Sequence, residues 1–298
     1  MELGVTLRES IMIEVDVRTS DGRVLHAYDV GPTGRSDELV LMWHGGTPNT
    51  GEPPEPLFDV AQSLGIRWIG YDRPGYGKSS PFRGATVASA AADAARVADH
   101  LGVDRFAVLG SSGGGPRALA CAALLMGRMS AAITISAPAP GTAPGLDFFA
   151  GMSGGSSREL RAAAQGRAEL EEVLASNEFD PESFIAADYA ALDGSWSWFS
   201  RIVQAATANG PDGMIEDDLG TMAPWGFDLA QITVPTLIMH GTEDRMVPGS
   251  HAEWLAAHCP TAELRLVPGE GHVSVLNSAP EALLWLRDRL SETKASLI

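Results

Sequence analysis

The chain has 298 residues, of which 45% are hydrophobic and 20% charged, a balance that fits one large core with an insertion, or two ordinary domains, and excludes a disordered chain. A formal net charge of -17 excludes nucleic acid and anionic membranes as partners held by bulk electrostatics. There is no apolar run long enough to span a bilayer and no basic-then-apolar leader at the start, so the expectation is a cytoplasmic protein without membrane insertion.

The segment from Ile11 to Val17 alternates apolar and polar residues, and a second extended segment runs from Arg23 to Tyr28 after Asp21 and Gly22. Together they predict an antiparallel hairpin at a sheet edge. The apolar run Leu39 to Trp43 predicts a strand that ends in His44-Gly-Gly-Thr-Pro48. A helix over about Pro56 to Leu64 and a strand over Ile66 to Gly70 follow, then a glycine-rich turn from Tyr71 to Ser79. Thr86 to Leu101 is dominated by alanine, which loses no side-chain rotamer freedom in a helix, and Gly102 stops it. Phe106 to Leu109 and Ile133 to Ser136 read as strands on either side of a helix over Pro116 to Met126.

After Pro138 the rhythm changes. Helices are predicted over Arg158 to Leu174, Pro181 to Leu192 and Ser197 to Ala208, so residues 139–230 read as a helical cap inserted into a core made of 1–138 and 231–298. The strand rhythm returns at Thr236 to Met239, with a helix over Gly249 to Ala257, a strand over Ala262 to Val267 and a last helix over Pro280 to Leu290. Strands alternating with helices of this length predict an α/β fold whose mostly parallel central sheet is flanked by helices. Cys121 and Cys259, far apart in sequence, read as small buried hydrophobes rather than metal ligands.

The sharpest chemical signal is Gly110-Ser-Ser-Gly-Gly114, a Gly-x-Ser-x-Gly pattern between a predicted strand and a small-residue helix. The flanking glycines relieve crowding in a tight turn that lifts the hydroxyl of Ser112 clear of the backbone, and the helix start aims amide donors at developing negative charge. A turn without chemistry is the competing reading, and Ser111 is the neighbouring serine. His44-Gly-Gly is a second place of close backbone approach; folded beside Ser112, the amides of Gly46 and Gly113 form an oxyanion hole, with His44 organising the loop rather than serving as base.

A serine hydroxyl needs a base to take its proton and a carboxylate to orient that base. Gly269-Glu-Gly-His-Val273 offers His272, and His240-Gly-Thr-Glu-Asp244 offers Asp244, with Glu243 and Glu270 as neighbouring carboxylates. His251 and His258 fall on a predicted helix and read as surface or packing residues. In the cap, Phe148, Phe149, Met152, Trp196, Trp198, Phe199, Met222, Trp225 and Phe227 are candidates for an acyl or aromatic pocket, or for holding the cap together.

Taken in order, His44-Gly-Gly-Thr-Pro48, Asp72-Arg-Pro-Gly-Tyr-Gly-Lys-Ser79, Gly110-Ser-Ser-Gly-Gly114, Gly241-Thr-Glu-Asp244 and Gly271-His272 resemble the serine α/β-hydrolase superfamily, especially capped members near the proline iminopeptidase-like and small-molecule esterase groups. The resemblance covers most of the chain. It implies Ser112 as nucleophile, Asp244 as acid, His272 as base, and the amides of Gly46 and Gly113 as oxyanion donors. Thr47-Pro48 and Gly113 depart from the iminopeptidase pattern, and serine at position 112 departs from the dehalogenase and epoxide hydrolase pattern, which has aspartate there. The expected activity is hydrolysis of a small, partly apolar acyl ester through an acyl-serine, without organic cofactor or metal. Aminopeptidase or amidase activity, acyl transfer, perhydrolysis, and ligand binding without turnover stand as alternatives on the same fold.

Overall fold

The computed structural model describes residues 12–31, 37–176 and 180–295. Eight strands form one sheet in the order β1-β2-β4-β3-β5-β6-β7-β8, comprising β1 Met12–Arg18, β2 Val24–Val30, β3 Leu39–His44, β4 Ile66–Tyr71, β5 Phe106–Ser111, β6 Met129–Ile135, β7 Thr236–Gly241 and β8 Ala262–Val267. The β1-β2 hairpin lies at one edge, β2 pairs antiparallel to β4, and the remaining pairs are parallel. Ile11, where the first predicted strand begins, falls outside the described residues. Among these residues no helix is long and apolar enough to cross a membrane, and Cys121 and Cys259 are buried free thiols.

Helices cover both faces, and the period-two alternation of a strand decides which face each side chain feeds. Met42, Ile69 and Val108 join the core beneath α2 Ser89–His100, α3 Gly114–Leu124 and α9 Gly249–His258. Their neighbours Leu41, Trp43, Trp68, Ala107 and Leu109 join the opposite core with α1 Phe58–Ser63 and α10 Ala279–Ala295. The inner strands β3 to β7 are apolar along nearly their whole length because both faces are buried, whereas the edge strands β1 and β8 carry charged residues and are partly exposed.

Between β6 and β7 lie α4 Gly154–Gln165, α5 Arg167–Ser176, α6 Ala186–Asp193, α7 Trp198–Thr207 and α8 Asp212–Met222, a run of helices without a strand among the described residues. Two details differ from the sequence expectation. The single helix predicted over Arg158 to Leu174 is two helices, broken at Gly166, whose φ of 126° lies in a region open to glycine. Helix α8 has no predicted counterpart, since its two glycines and its Glu216-Asp-Asp218 run look like a solvated loop.

The strand order reverses direction at β3 and β5, which send their following helices to opposite sides. Ligand sites in open α/β sheets form at such a switch point, beyond the carboxyl ends of the strands. The register pairs His44 with Gly110, Ser111 with Ile135, and Gly241 with Val267. It therefore brings the loops that carry Gly46, Ser112, Asp244 and His272 to one edge.

Candidate active site

Ser112 sits between the end of β5 and the start of α3 with a φ of 50°, one of two positive values at non-glycine residues among those described. Its N–H donates to the Ile135 carbonyl at 2.8 Å, and its carbonyl accepts from the Gly115 N–H at 2.8 Å. The turn is too tight for side chains at its base. A Cβ on Gly110 would lie 2.7 Å from the Gly115 Cα, and one on Gly114 would collide with the His44 carbonyl. These glycines supply absent bulk more than unusual dihedrals.

The Ser112 Oγ lies 3.0 Å from His272 Nε2, and His272 Nδ1 lies 2.8 Å from Asp244 Oδ2. A carboxylate only accepts, so Nδ1 carries the proton and the Nε2 lone pair faces the Ser112 hydroxyl. The other Asp244 oxygen accepts from the Met246 and Val247 amides at 2.9 and 2.8 Å. Burial opposes ionisation of Asp244, yet the charge of His272 and the hydrogen bonds from His240 and His272 outweigh it and hold the carboxyl below its ordinary range. Burial likewise opposes charging of His272, but Asp244 outweighs it and the imidazole is raised above 6.5. The neighbouring carboxylate Glu243 is exposed, whereas Asp244 is buried.

Gly46 packs against this centre, with a hypothetical Cβ 3.3 Å from the Ser112 Cβ. Gly113 caps the start of α3, where the first amides of a helix have no intrahelical acceptor. Burial, with the charges of Arg73 and Arg117 adding to it, pulls His44 down to about 3. It is neutral at working pH and sits behind the loop, its Nε2 3.7 Å from Cys121 Sγ. His251 ties the inserted segment to α9, accepting from the Ala139 amide at 3.1 Å through Nδ1 and donating to the Phe148 carbonyl at 2.9 Å through Nε2.

A cavity of about 800 Å³ opens over Ser112 and His272, within the size range of small-molecule sites. Thr47, Pro48 and Gly113 form its floor, while Glu159, Leu174, Phe184, Met214 and Asp218 contribute walls from the inserted segment. Burial, followed by the adjoining Glu159 carboxyl, pushes Asp218 well above the carboxylate range and favours its neutral form.

The aromatic pocket expected from sequence is not this wall. Phe148, Phe149, Met152, Trp196, Trp198, Met222 and Trp225 all lie outside the cavity lining. Phe148 packs edge-on against His251, Arg161 covers the Phe149 ring at 3.9 Å, and Met152 follows in the same turn, its N–H on the Phe149 carbonyl. Trp196 stacks on Phe199 and donates to Asn277 Oδ1 at 3.1 Å, and Trp198 donates to Glu52 Oε1 at 3.4 Å. Trp225 joins the main core and stacks on Phe227, while Met222 packs with the small cluster around Ala162 and Ile215. Phe148, Trp196, Trp198 and Trp225 thus tie the inserted segment to the core, and the N–H of each of these three tryptophans finds an acceptor.

Sequence reasoning missed two buried carboxylates of the inserted segment. Asp188 on α6 accepts from the Val273 and Ser274 amides at 2.8 Å each and from the Ile185 amide at 3.0 Å, which clamps the loop that carries His272. Asp217 on α8 meets Arg73 and Arg117. For Asp188 the only local hint is an aspartate among the apolar residues of α6, and Asp217, inside the Glu216-Asp-Asp218 run, offers none. Asp188→Ala leaves two buried amides and a half-buried one without their acceptor and is expected to cost about 3 kcal/mol or more in denaturant unfolding.

Comparison with known proteins agrees with this architecture. The chain is 30% identical over 274 residues to a non-heme chloroperoxidase of Streptomyces lividans, covering 90% of this chain and 95% of that protein. It is 32% identical over 270 residues to a non-heme haloperoxidase of Rhodococcus erythropolis, covering 86% and 92%. A thermophilic esterase from Thermogutta terrifontis shares the fold with a TM-score of 0.66 at 22% identity, over 95% of this chain and 98% of that one. Residues 38–279 match the family described as alpha/beta hydrolase fold, and with its eight-stranded, mostly parallel sheet flanked by helices the chain belongs to that family.

Proposed function

We propose that the protein is a serine hydrolase that cleaves small, partly apolar carboxylic esters through an acyl-Ser112 intermediate. The observation that carries this reading is the unbroken hydrogen-bonded series from Ser112 through His272 to Asp244 at the floor of a cavity of about 800 Å³. Ser112 Oγ attacks the ester carbonyl while its proton passes to His272 Nε2. The oxyanion forms against the amides of Gly46 and Gly113. As the intermediate collapses, His272 returns the proton to the departing alkoxide oxygen. Water then gives a proton to His272 and attacks the acyl carbon; as this second intermediate collapses, His272 returns the proton to Ser112 Oγ and the acid is released. The inserted helices form the cap over this chemistry.

The cavity wall also bears on the substrate. Glu159, Glu171 and Asp180 give it acidic character, against Arg158, while Asp218 is held neutral. Neutral acyl chains are therefore expected to be preferred over carboxylate-bearing ones. A panel of p-nitrophenyl esters with neutral and anionic acyl chains tests the preference, and a fluorophosphonate probe with peptide mass spectrometry tests the nucleophile. Active protein left unlabelled at Ser112, under conditions that label a control hydrolase, would sink the proposal.

The similarity to a chloroperoxidase and a haloperoxidase favours a second reading, in which hydrogen peroxide replaces water in the deacylation. The acyl-serine bond then breaks as a peracid O–C bond forms, and the peroxide proton returns through His272 to Ser112. Peracid in the products of an ester incubated with peroxide, lost in Ser112→Ala, distinguishes this from plain hydrolysis.

A further inference from the structure

Beneath the candidate oxyanion loops lies a charged cluster that reaches no wall of the cavity. Its centre is Asp217, buried on α8 of the inserted segment. Asp217 Oδ2 lies 2.6 Å from Arg73 Nη2 and accepts from the hydroxyls of Thr47 at 2.7 Å and Tyr76 at 2.9 Å, and Oδ1 lies 3.1 Å from Arg117 Nη2. Each arginine in turn holds one candidate oxyanion loop. Arg73 donates to the Gly45 carbonyl at 2.6 Å through Nη1 and to the Gly46 carbonyl at 2.8 Å through Nη2. Arg117 donates to the Gly113 carbonyl at 2.8 Å through Nη1, and to the Asp217 main-chain carbonyl at 3.0 Å through Nη2.

The contact with Gly45 has an electronic consequence. The Gly45 carbonyl and the Gly46 N–H are the two ends of one planar amide. A guanidinium that donates to the oxygen draws electron density towards it and makes the N–H a stronger donor. Arg73 thus fixes the plane of the Gly46 amide and sharpens its acidity, while Asp217 fixes Arg73. Thr47, whose hydroxyl Asp217 accepts, packs directly against Gly113. One carboxylate therefore ties both loops to a helix that belongs to neither.

We infer that Asp217 is a positioning residue that, through Arg73 and Arg117, brings the Gly46 and Gly113 amides into working geometry only when α8 is docked on the core. The inference rests on the acyl-serine reading above. It couples the seating of the inserted segment to transition-state stabilisation rather than to substrate entry. Because an oxyanion exists in the transition state and not in the bound ester, the coupling acts on kcat and leaves KM alone.

Asp217→Asn keeps the shape of the side chain and removes its charge. In folded protein it is expected to lower kcat on a neutral p-nitrophenyl ester about 10- to 100-fold, with KM within about threefold, and to slow fluorophosphonate labelling of Ser112 by a similar factor. A purely structural role would lower the melting temperature and leave kcat per folded molecule unchanged, and that result overturns the inference, as does an effect confined to KM. Should Asp217→Asn not fold, Tyr76→Phe removes one hydrogen bond to Asp217 while keeping both arginines and the cavity wall. It is expected to lower kcat about threefold at constant KM, and an unchanged kcat overturns the inference equally. Failure of the acyl-serine reading is distinguishable, because it shows in the wild type as absence of both ester turnover and Ser112 labelling.

Discussion

Ser112→Ala is expected to lower kcat for ester hydrolysis by roughly 10⁴- to 10⁶-fold, the scale on which loss of a nucleophile in a serine triad is felt. The hydroxyl 3.0 Å from His272 Nε2 is the atom that forms the covalent bond, and alanine offers no replacement. The fold is expected to persist, because alanine at the same φ of 50° keeps the Cβ already accommodated in the turn and alters neither Gly110 nor Gly114. Circular dichroism should match the wild type while turnover and fluorophosphonate labelling vanish together. Residual hydrolysis above about 1% of wild type would place the nucleophile elsewhere, with Ser111 the first candidate.

The second large effect concerns the acid and the pH profile. His272 must be neutral to accept the proton of Ser112, so kcat/KM rises with pH as His272 loses its own proton. Because Asp244 raises the imidazole above 6.5 despite its burial, the acid limb should lie above that value. Asp244 itself is held below the carboxylate range and stays ionised across the limb, so one group governs it. Asp244→Asn removes the charge that raises His272 and leaves the burial that lowers it, so the limb should move to lower pH.

The same substitution is expected to lower kcat by roughly 10⁴-fold. The asparagine Oδ1 can still accept from the Met246 and Val247 amides as Asp244 does. Its Nδ2 then faces His272 Nδ1 as a donor. That forces the imidazole proton onto Nε2 and leaves no lone pair for Ser112. A pH series of kcat/KM for both proteins checks the two effects together, and a limb that stays in place in Asp244→Asn would show that another group sets it.

Much of the core was legible because its signals are local. Each observed strand has a predicted counterpart, since an apolar run bounded by turn residues identifies a strand wherever it packs. Boundaries shifted where pairing extends the ladder, as in β6, which begins at Met129 rather than Ile133. The break at Gly166 was missed, because a lone glycine within a helical pattern can be tolerated as well as end the helix. Ser112 stood out as a candidate because the glycines around it record how tightly its turn must close, while Asp244 and His272 followed from the residue types that a serine nucleophile needs and from the family resemblance.

Helix α8, the carboxylates Asp188 and Asp217, and the cavity wall were decided by tertiary structure alone. Asp217 meets Arg73 across 144 residues of chain and Arg117 across 100, and nothing near it in sequence distinguishes a buried ionic hub from a solvated acidic turn. Burying a charge is tolerable only when its partners are in place, so its position depends on the whole fold. The aromatic residues of the inserted segment show the same dependence from the apolar side. Sequence by itself determined the tendency of these large rings to leave water, and Phe148, Trp196, Trp198 and Trp225 are buried while Phe149, Phe199 and Phe227 are half-buried. Whether they face a ligand or the sheet was settled by which surface the inserted helices cover, a property of the packed molecule.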